Sequence, residues 1–169
     1  MKLSIHKIGP AFELQCSTEI DRSIEEVFEF FANAENLQKI TPRFVGFSIL
    51  SPLPIKMQVG TVIDYRISIR KIPLKWRTEI TEWNPPHSFQ DTQIRGPYRQ
   101  WVHQHRFTPV RGGTRIEDVV QYKVLGGHII NRLFVQKDVL KIFRYRNKQL
   151  VHLLGHRETK IASSQASLA

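Results

Sequence analysis

From Phe12 to Ile20 apolar and polar side chains alternate, with Phe12, Leu14, Cys16 and Thr18 on one side and Glu13, Gln15, Ser17 and Glu19 on the other. A period of two predicts a half-buried strand. Asp21-Arg22-Ser23 ends it, and Ser23 with Glu26 three residues later has capping-box spacing. A helix is expected there, with Ile24, Val27, Phe28, Phe31 and Ala34 on its apolar face. A second short helical turn is expected near Glu35 to Lys39, and Pro42 stops it.

From Phe44 to Thr108 the period is that of strands. Phe44 to Leu50 reads as a short strand, and Pro52 and Pro54 as a loop. Thr61 to Arg70 alternates cleanly, with Ile63, Tyr65, Ile67 and Ile69 inward, and Leu74 to Trp83 follows less cleanly. Ser88 to Arg95, Tyr98 to Thr108 and Thr114 to Val124 complete the run. Asn84-Pro85-Pro86, Gly96-Pro97 and Gly112-Gly113 separate them, and turns this short imply antiparallel hairpins.

After Gly126-Gly127 the period becomes helical. Leu133, Leu140, Phe143, Leu150, Val151 and Leu154 mark an apolar face, and Lys137, Lys141, Arg144 and Lys148 a basic one. Gly155 is the expected C-cap. The tail, His156 to Ala169, lacks periodicity and is expected to be disordered. The expected architecture is one α+β domain over residues 1–155. In it a curved antiparallel sheet of about six to seven strands wraps a long C-terminal helix, with one or two short helices after the first strand.

At 169 residues, with a single cysteine, Cys16, the chain needs no disulfide to build its core. No apolar run reaches the length of a membrane-spanning helix, and Met1 to Pro10 lacks the apolar stretch of a signal peptide, so the expected location is cytoplasmic. The net charge of +10 permits an anionic partner. Arg66, Arg70, Lys71, Lys75 and Arg77 form an outward basic stripe without interleaved aromatics, which argues against nucleic acid and leaves peripheral contact with an anionic membrane open.

The element order resembles the START-like (SRPBCC) superfamily over about residues 10 to 155. That superfamily includes birch-pollen-allergen-like proteins, lipid-transfer domains and polyketide cyclases. Particular stretches are similar to a bacterial branch of ligand-binding proteins sometimes labelled cell-division-inhibitor-like. They are Asn36-Leu37 with Ile40-Thr41-Pro42, Trp83-Asn84-Pro85-Pro86, Phe89, Asp91 and Gln93, and Gly96-Pro97-Tyr98 with Trp101, His103, His105 and Phe107. The resemblance implies an internal cavity for a small hydrophobic or aromatic ligand (lipid, polyketide-like or isoprenoid) and does not specify a reaction.

The candidate chemistry lies on two strands. Trp101, His103, His105 and Phe107 share the inward face of one, and Ile116, Asp118, Val120 and Tyr122 that of the next. His103, His105 and Asp118 then come within reach of one another. Four readings stay open: a closed structural network, a polar anchor for a ligand together with Tyr122, a His–Asp acid–base pair of the cyclase or dehydratase kind, and a metal site. For the last, His-x-His spacing alone is weak and no metal or other cofactor is expected. Asp91 either points into the cavity or, on the preferred reading, pairs with Arg77 or Arg95. Tyr65, Trp76, Trp101, Phe107, Leu140 and Phe143 are the expected apolar wall, and a cavity of about 300 Å³ or more follows.

Overall fold

The computed structural model describes residues 2–69 and 72–155; of Ile69 it describes the backbone. Arg70, Lys71 and the tail from His156 lie outside the described residues.

The alternating segments become the strands β2 (Ala11–Ile20), β4 (Val62–Ile69), β5 (Ile72–Asn84), β6 (Ser88–Arg95), β7 (Gln100–Val110) and β8 (Gly113–Lys123). β1 (Lys2–Ile8) and the two-residue β3 (Ser48–Ile49) complete an eight-stranded sheet of order β1-β2-β8-β7-β6-β5-β4-β3. β3 through β8 run as an antiparallel meander, and β2 then pairs with the free edge of β8. β1 is a strand that periodicity misses: its residues are mostly exposed, and only Leu3 and Ile5 pack onto the core. Lys2, His6 and Lys7 keep this edge polar, as suits an unpaired edge. Where a strand is expected from Phe44, Arg43–Val45 instead form a 3₁₀ turn.

The Ser23–Glu26 capping box starts α1 (Ile24–Ala32). Glu26 N–H donates to Ser23 Oγ at 3.2 Å, and Ser23 N–H to Glu26 Oε2 at 2.9 Å. α2 (Asn36–Lys39) follows. Phe28 and Phe31 of α1 meet Phe107 of β7 at centroid distances of 5.6 and 5.0 Å. The β7–β8 hairpin needs Gly113 because a Cβ there would collide with the Ile20 carbonyl oxygen on β2.

The long C-terminal helix is α4 (Gln136–Leu154), entered through α3 (Gly127–Ile130) and a π-helical turn at Asn131–Val135. Val139, Phe143, Arg146, Asn147 and Leu150 are its buried residues. Leu140 is a correction. It faces a side groove with His128, Arg132 and Leu133, and not the interior. Val151 is likewise 44% exposed. The inward stripe passes through Val139 and Phe143, one position round the helix from Leu140. No helix among the described residues is long and apolar enough to cross a membrane.

Candidate functional site

The sheet's register assembles the site. Asp91 on β6 stands opposite His103 on β7, and His105 stands between Phe89 of β6 and Asp118 of β8. All five side chains point to the concave face, because residues two apart on a strand share a face. α4 crosses above them and brings Arg146.

The two imidazoles lie with centroids 3.8 Å apart. His103 Nε2 is 2.9 Å from Asp118 Oδ1, and His103 Nδ1 is 3.7 Å from Asp91 Oδ2. His105 Nε2 is 3.1 Å from Asp91 Oδ2. His105 Nδ1 is 2.8 Å from Asp118 Oδ1, without hydrogen-bond alignment. Thr78 Oγ1 donates to Asp91 Oδ1 at 3.3 Å. Arg146 approaches Asp118 at 3.8 Å and lies over the Phe31 ring, 5.4 Å from its centroid. Phe89 stacks on His105 with centroids 4.1 Å apart and planes 18° from parallel.

Asp91 thus does not pair with Arg77 or Arg95. Arg77 lies on the outer face and makes a two-point contact with Asp64 at 2.8 and 2.9 Å. A register shift between Arg77 and Thr78 also sets Arg77 opposite Arg95, so neither arginine comes to Asp91.

Burial and charge oppose each other here. Burial alone would push the Asp118 carboxyl up; the Arg146 charge and the two imidazoles overcome it and hold it well below the usual carboxylate range. Asp91 is lowered in the same way, burial being outweighed by the His105 bond and by the charges of His103, His105 and Arg146. Burial, reinforced by His105, pushes His103 down to about 4 despite its bond to Asp118. His103 is therefore neutral near pH 7, and its one ring hydrogen belongs on Nε2, facing an acceptor-only carboxylate.

Next to this cluster the helix and sheet separate around a cavity of about 640 Å³. Tyr65, Trp76, Trp101 and Phe143 line it, and so do Asp91, His103 and His105. Trp76 and Trp101 meet edge to face at 5.4 Å, with Tyr98 4.7 Å from Trp101. Besides Leu140, three more expected site residues stand elsewhere. Phe107 is packed against α1, away from the cavity. Asp118 lies behind the imidazoles. Tyr122 is fully buried in a second apolar cluster, its hydroxyl turned to Asn131, and burial pushes its pKa up to about 12.

Arg146 is the functional candidate that the sequence reading missed. It stands three residues after Phe143 and four before Leu150, in the apolar stripe, and that spacing was its signal. Tyr98, Phe31, Val139 and Ile142 also line the cavity and were not expected there. Cys16, far from the cluster in sequence, sits opposite Asp118 across the β2–β8 pair. Burial, and then the Asp118 charge, push its thiol up to about 12, which removes it as a nucleophile.

Solved structures share this fold. Protein Ms6760 from Mycobacterium smegmatis has a TM-score of 0.66 at 15% identity, over 90% of this chain and 96% of that one. Protein CV1439 from Chromobacterium violaceum has a TM-score of 0.68 at 14% identity, over 86% and 98%. The major latex-like protein 151 of Panax ginseng has a TM-score of 0.60 at 13% identity, over 86% and 99%. No curated protein matches the sequence. Residues 20–152 match the family described as "Polyketide cyclase / dehydrase and lipid transport". That match takes in α1, β3 to β8 and nearly all of α4, and with it the whole cavity. The chain belongs to this family, within the START-like superfamily.

Proposed function

We propose that this protein binds a small hydrophobic or aromatic molecule, such as a lipid, polyketide-like or isoprenoid compound, in the cavity between sheet and α4. The supporting observation is one cavity of about 640 Å³ with aromatic walls and with Asp91, His103, His105 and Arg146 clustered in its lining. That volume lies within the roughly 300–1,000 Å³ of small-molecule sites. Apolar surface supplies the attraction, and Asp91, His103, His105 and Arg146 recognise the polar end of the ligand. Arg146 is suited to an acceptor on the ligand, since its Nε is buried with no hydrogen-bond partner among the described residues.

The test is native mass spectrometry of protein purified from its own host, followed by solvent extraction. A co-purifying molecule that disappears in Trp101→Ala is the expected result. A protein that neither retains a molecule nor takes up any apolar fluorophore or fatty acid would end this reading.

The His–Asp acid–base reading has less support. A general acid–base group works best with a pKa near the working pH, and burial has taken His103 far below it. The membrane contact has a specific observation in its favour. Ile129, Leu133 and Phe134 are exposed beside Arg132 and Lys137 where α3 leads into α4. Leu125, Ile130 and Val135 of the same region line the cavity. Such a surface suits docking on an anionic bilayer during loading. Sedimentation with phosphatidylserine vesicles should fall in Leu133→Asp and at high salt; indifference to both would dismiss the contact.

A further inference from the structure

We propose that Asp91, His103 and His105 form a binding site for one divalent transition-metal cation of the zinc or iron(II) class, in the wall of the cavity, and that Asp118 holds both imidazoles in the ligating orientation. The site goes beyond the ligand-binding reading and does not depend on which organic molecule fills the cavity.

The geometry carries the argument. One ligating atom from each of the three residues lies within 4.8 Å of the other two. His105 Nε2 and His103 Nδ1 are 3.1 and 3.7 Å from Asp91 Oδ2. Around an ion with bonds of about 2.0–2.2 Å, neighbouring ligand atoms stand about 3.0–3.5 Å apart. The two separations from Asp91 Oδ2 are therefore already within tenths of an ångström of those around a shared ion, and the two ring nitrogens, at most 4.8 Å apart, close on it by small turns of the side chains.

The second observation is Asp118. Its Oδ1 lies 2.9 Å from His103 Nε2 and 2.8 Å from His105 Nδ1. A carboxylate offers no hydrogen, so in a neutral imidazole the ring hydrogen belongs on the nitrogen facing it. His103 Nδ1 then carries a lone pair facing Asp91, whereas His105 hydrogen-bonds Asp91 through Nε2, so an ion would take the place of the hydrogen there and leave the ring hydrogen on Nδ1 beside Asp118. Two ring nitrogens and a carboxylate oxygen converge, backed by a buried carboxylate. This is the arrangement by which an outer carboxylate orients metal-binding histidines.

Charge and ligand type narrow the occupant. Asp91, Asp118 and Arg146 sum to one negative charge, so a divalent ion leaves the cluster with one positive. Two imidazoles and one carboxylate suit zinc or iron(II) and are poor ligands for magnesium or calcium. All three ligating residues line the cavity, so a further coordination position faces it, as at reactive metal sites and unlike closed structural ones. With Arg146 on the same wall, the metal would favour an organic molecule bearing an anionic or chelating oxygen.

The test uses the full-length, chelator-treated protein, titrated with Co²⁺ alone and with Zn²⁺ alone. One ion per chain is expected, with a visible ligand-field spectrum for Co²⁺, broadening of the His103 and His105 ring resonances, and a higher melting temperature with Zn²⁺. Asp91→Asn should weaken binding at least about tenfold, and the positioning variant Asp118→Asn about 10–100-fold with a shifted Co²⁺ spectrum. Asp118→Glu should recover part of that loss. Melting without metal identifies variants that fail to fold, and the wild-type resonances serve without any variant. Three outcomes overturn the proposal: no binding of either ion at millimolar concentration, binding that leaves both ring resonances unperturbed, or unchanged affinity in a folded Asp91→Asn protein. The first would mean that a proton alone joins His105 to Asp91. Uptake of an apolar fluorophore by the same samples reports on the ligand-binding reading separately.

Discussion

The space between sheet and helices has two halves that the chain fills differently. Beneath α1, Phe28 and Phe107 interlock with Ile116 and Leu150 in a solid interior, and Phe31, Phe89 and Ile80 form its boundary with the cavity. Beneath the first half of α4, Tyr65, Ile67, Trp76 and Trp101 face Val139 and Phe143 across the cavity. Both halves are aromatic and similarly buried. They differ in what lies over the sheet: α1 sends large rings down onto it, whereas α4 stands over a curve too wide for Val139 and Phe143 to fill. The polar cluster lies at the boundary, with His105 stacked on Phe89 and His103 against Phe143. Apolar content alone does not decide whether a region is core or container. What decides is how much volume the opposing element supplies.

That contrast can be broken most severely from the solid side. Phe107→Ala should destabilise by about 3–5 kcal/mol, read from denaturant melts, because neighbours in a packed interior collapse only partly into the space. At the boundary, Asp118→Ala should cost about 3 kcal/mol, since it leaves the Arg146 charge buried without its carboxylate. The double change Asp118→Leu with Arg146→Met should restore most of that stability while still abolishing recognition of a polar ligand group. A matched pair sharpens the contrast further. Ile116→Phe overfills the solid half and should cost about 2 kcal/mol, while Ile67→Phe projects into the cavity and should cost less than about 1 kcal/mol. Only Ile67→Phe should displace a bound apolar probe; equal costs would show that both halves are packed alike.

The smallest effect concerns Cys16. Its thiol pKa is raised from 9.0 to about 12 by burial first and by Asp118 second. The folded state therefore favours the protonated thiol. Its contribution to stability is complete below pH 9 and declines above it, where the unfolded chain ionises first, until about pH 12. Cys16→Ala should remove that part of the alkaline decline. Iodoacetamide at about pH 8 should label the native thiol far more slowly than the unfolded one.

The strands of the meander were legible because each buries one face, and period two then places Tyr65, Trp101, His103, His105 and Asp118 without further help. β1 was not legible, since an edge strand with few buried residues leaves no alternation. Asp91 was misread through its partner. Its own parity with Phe89 placed it inside, but the β6–β7 register that sets it against His103 depends on how the four residues Gly96 to Arg99 turn, which composition does not state. Leu140 was misplaced because two stripes on α4 are both apolar, one facing the interior and one a side groove. Only packing distinguishes them. Arg146 was overlooked because a basic residue on a basic helix attracts no notice until its spacing is compared with Phe143 and Leu150.

The strand order also sets a sequence of assembly. Asp91, His103, His105 and Asp118 lie on three consecutive strands, so local hairpins gather them early. Pairing of β2 with β8 joins distant parts of the chain: the Gln121–Glu13 bond spans 108 positions. Contacts at such separation are slow to form. The polar cluster is therefore expected to exist, wet and carrying two carboxylates, before β2 and α4 close around it, and expelling that water belongs to the late part of folding. Asp118→Leu with Arg146→Met, which removes two of the charges to be dehydrated, should refold faster than the natural chain in stopped-flow mixing. An unchanged refolding rate would place that dehydration after the barrier.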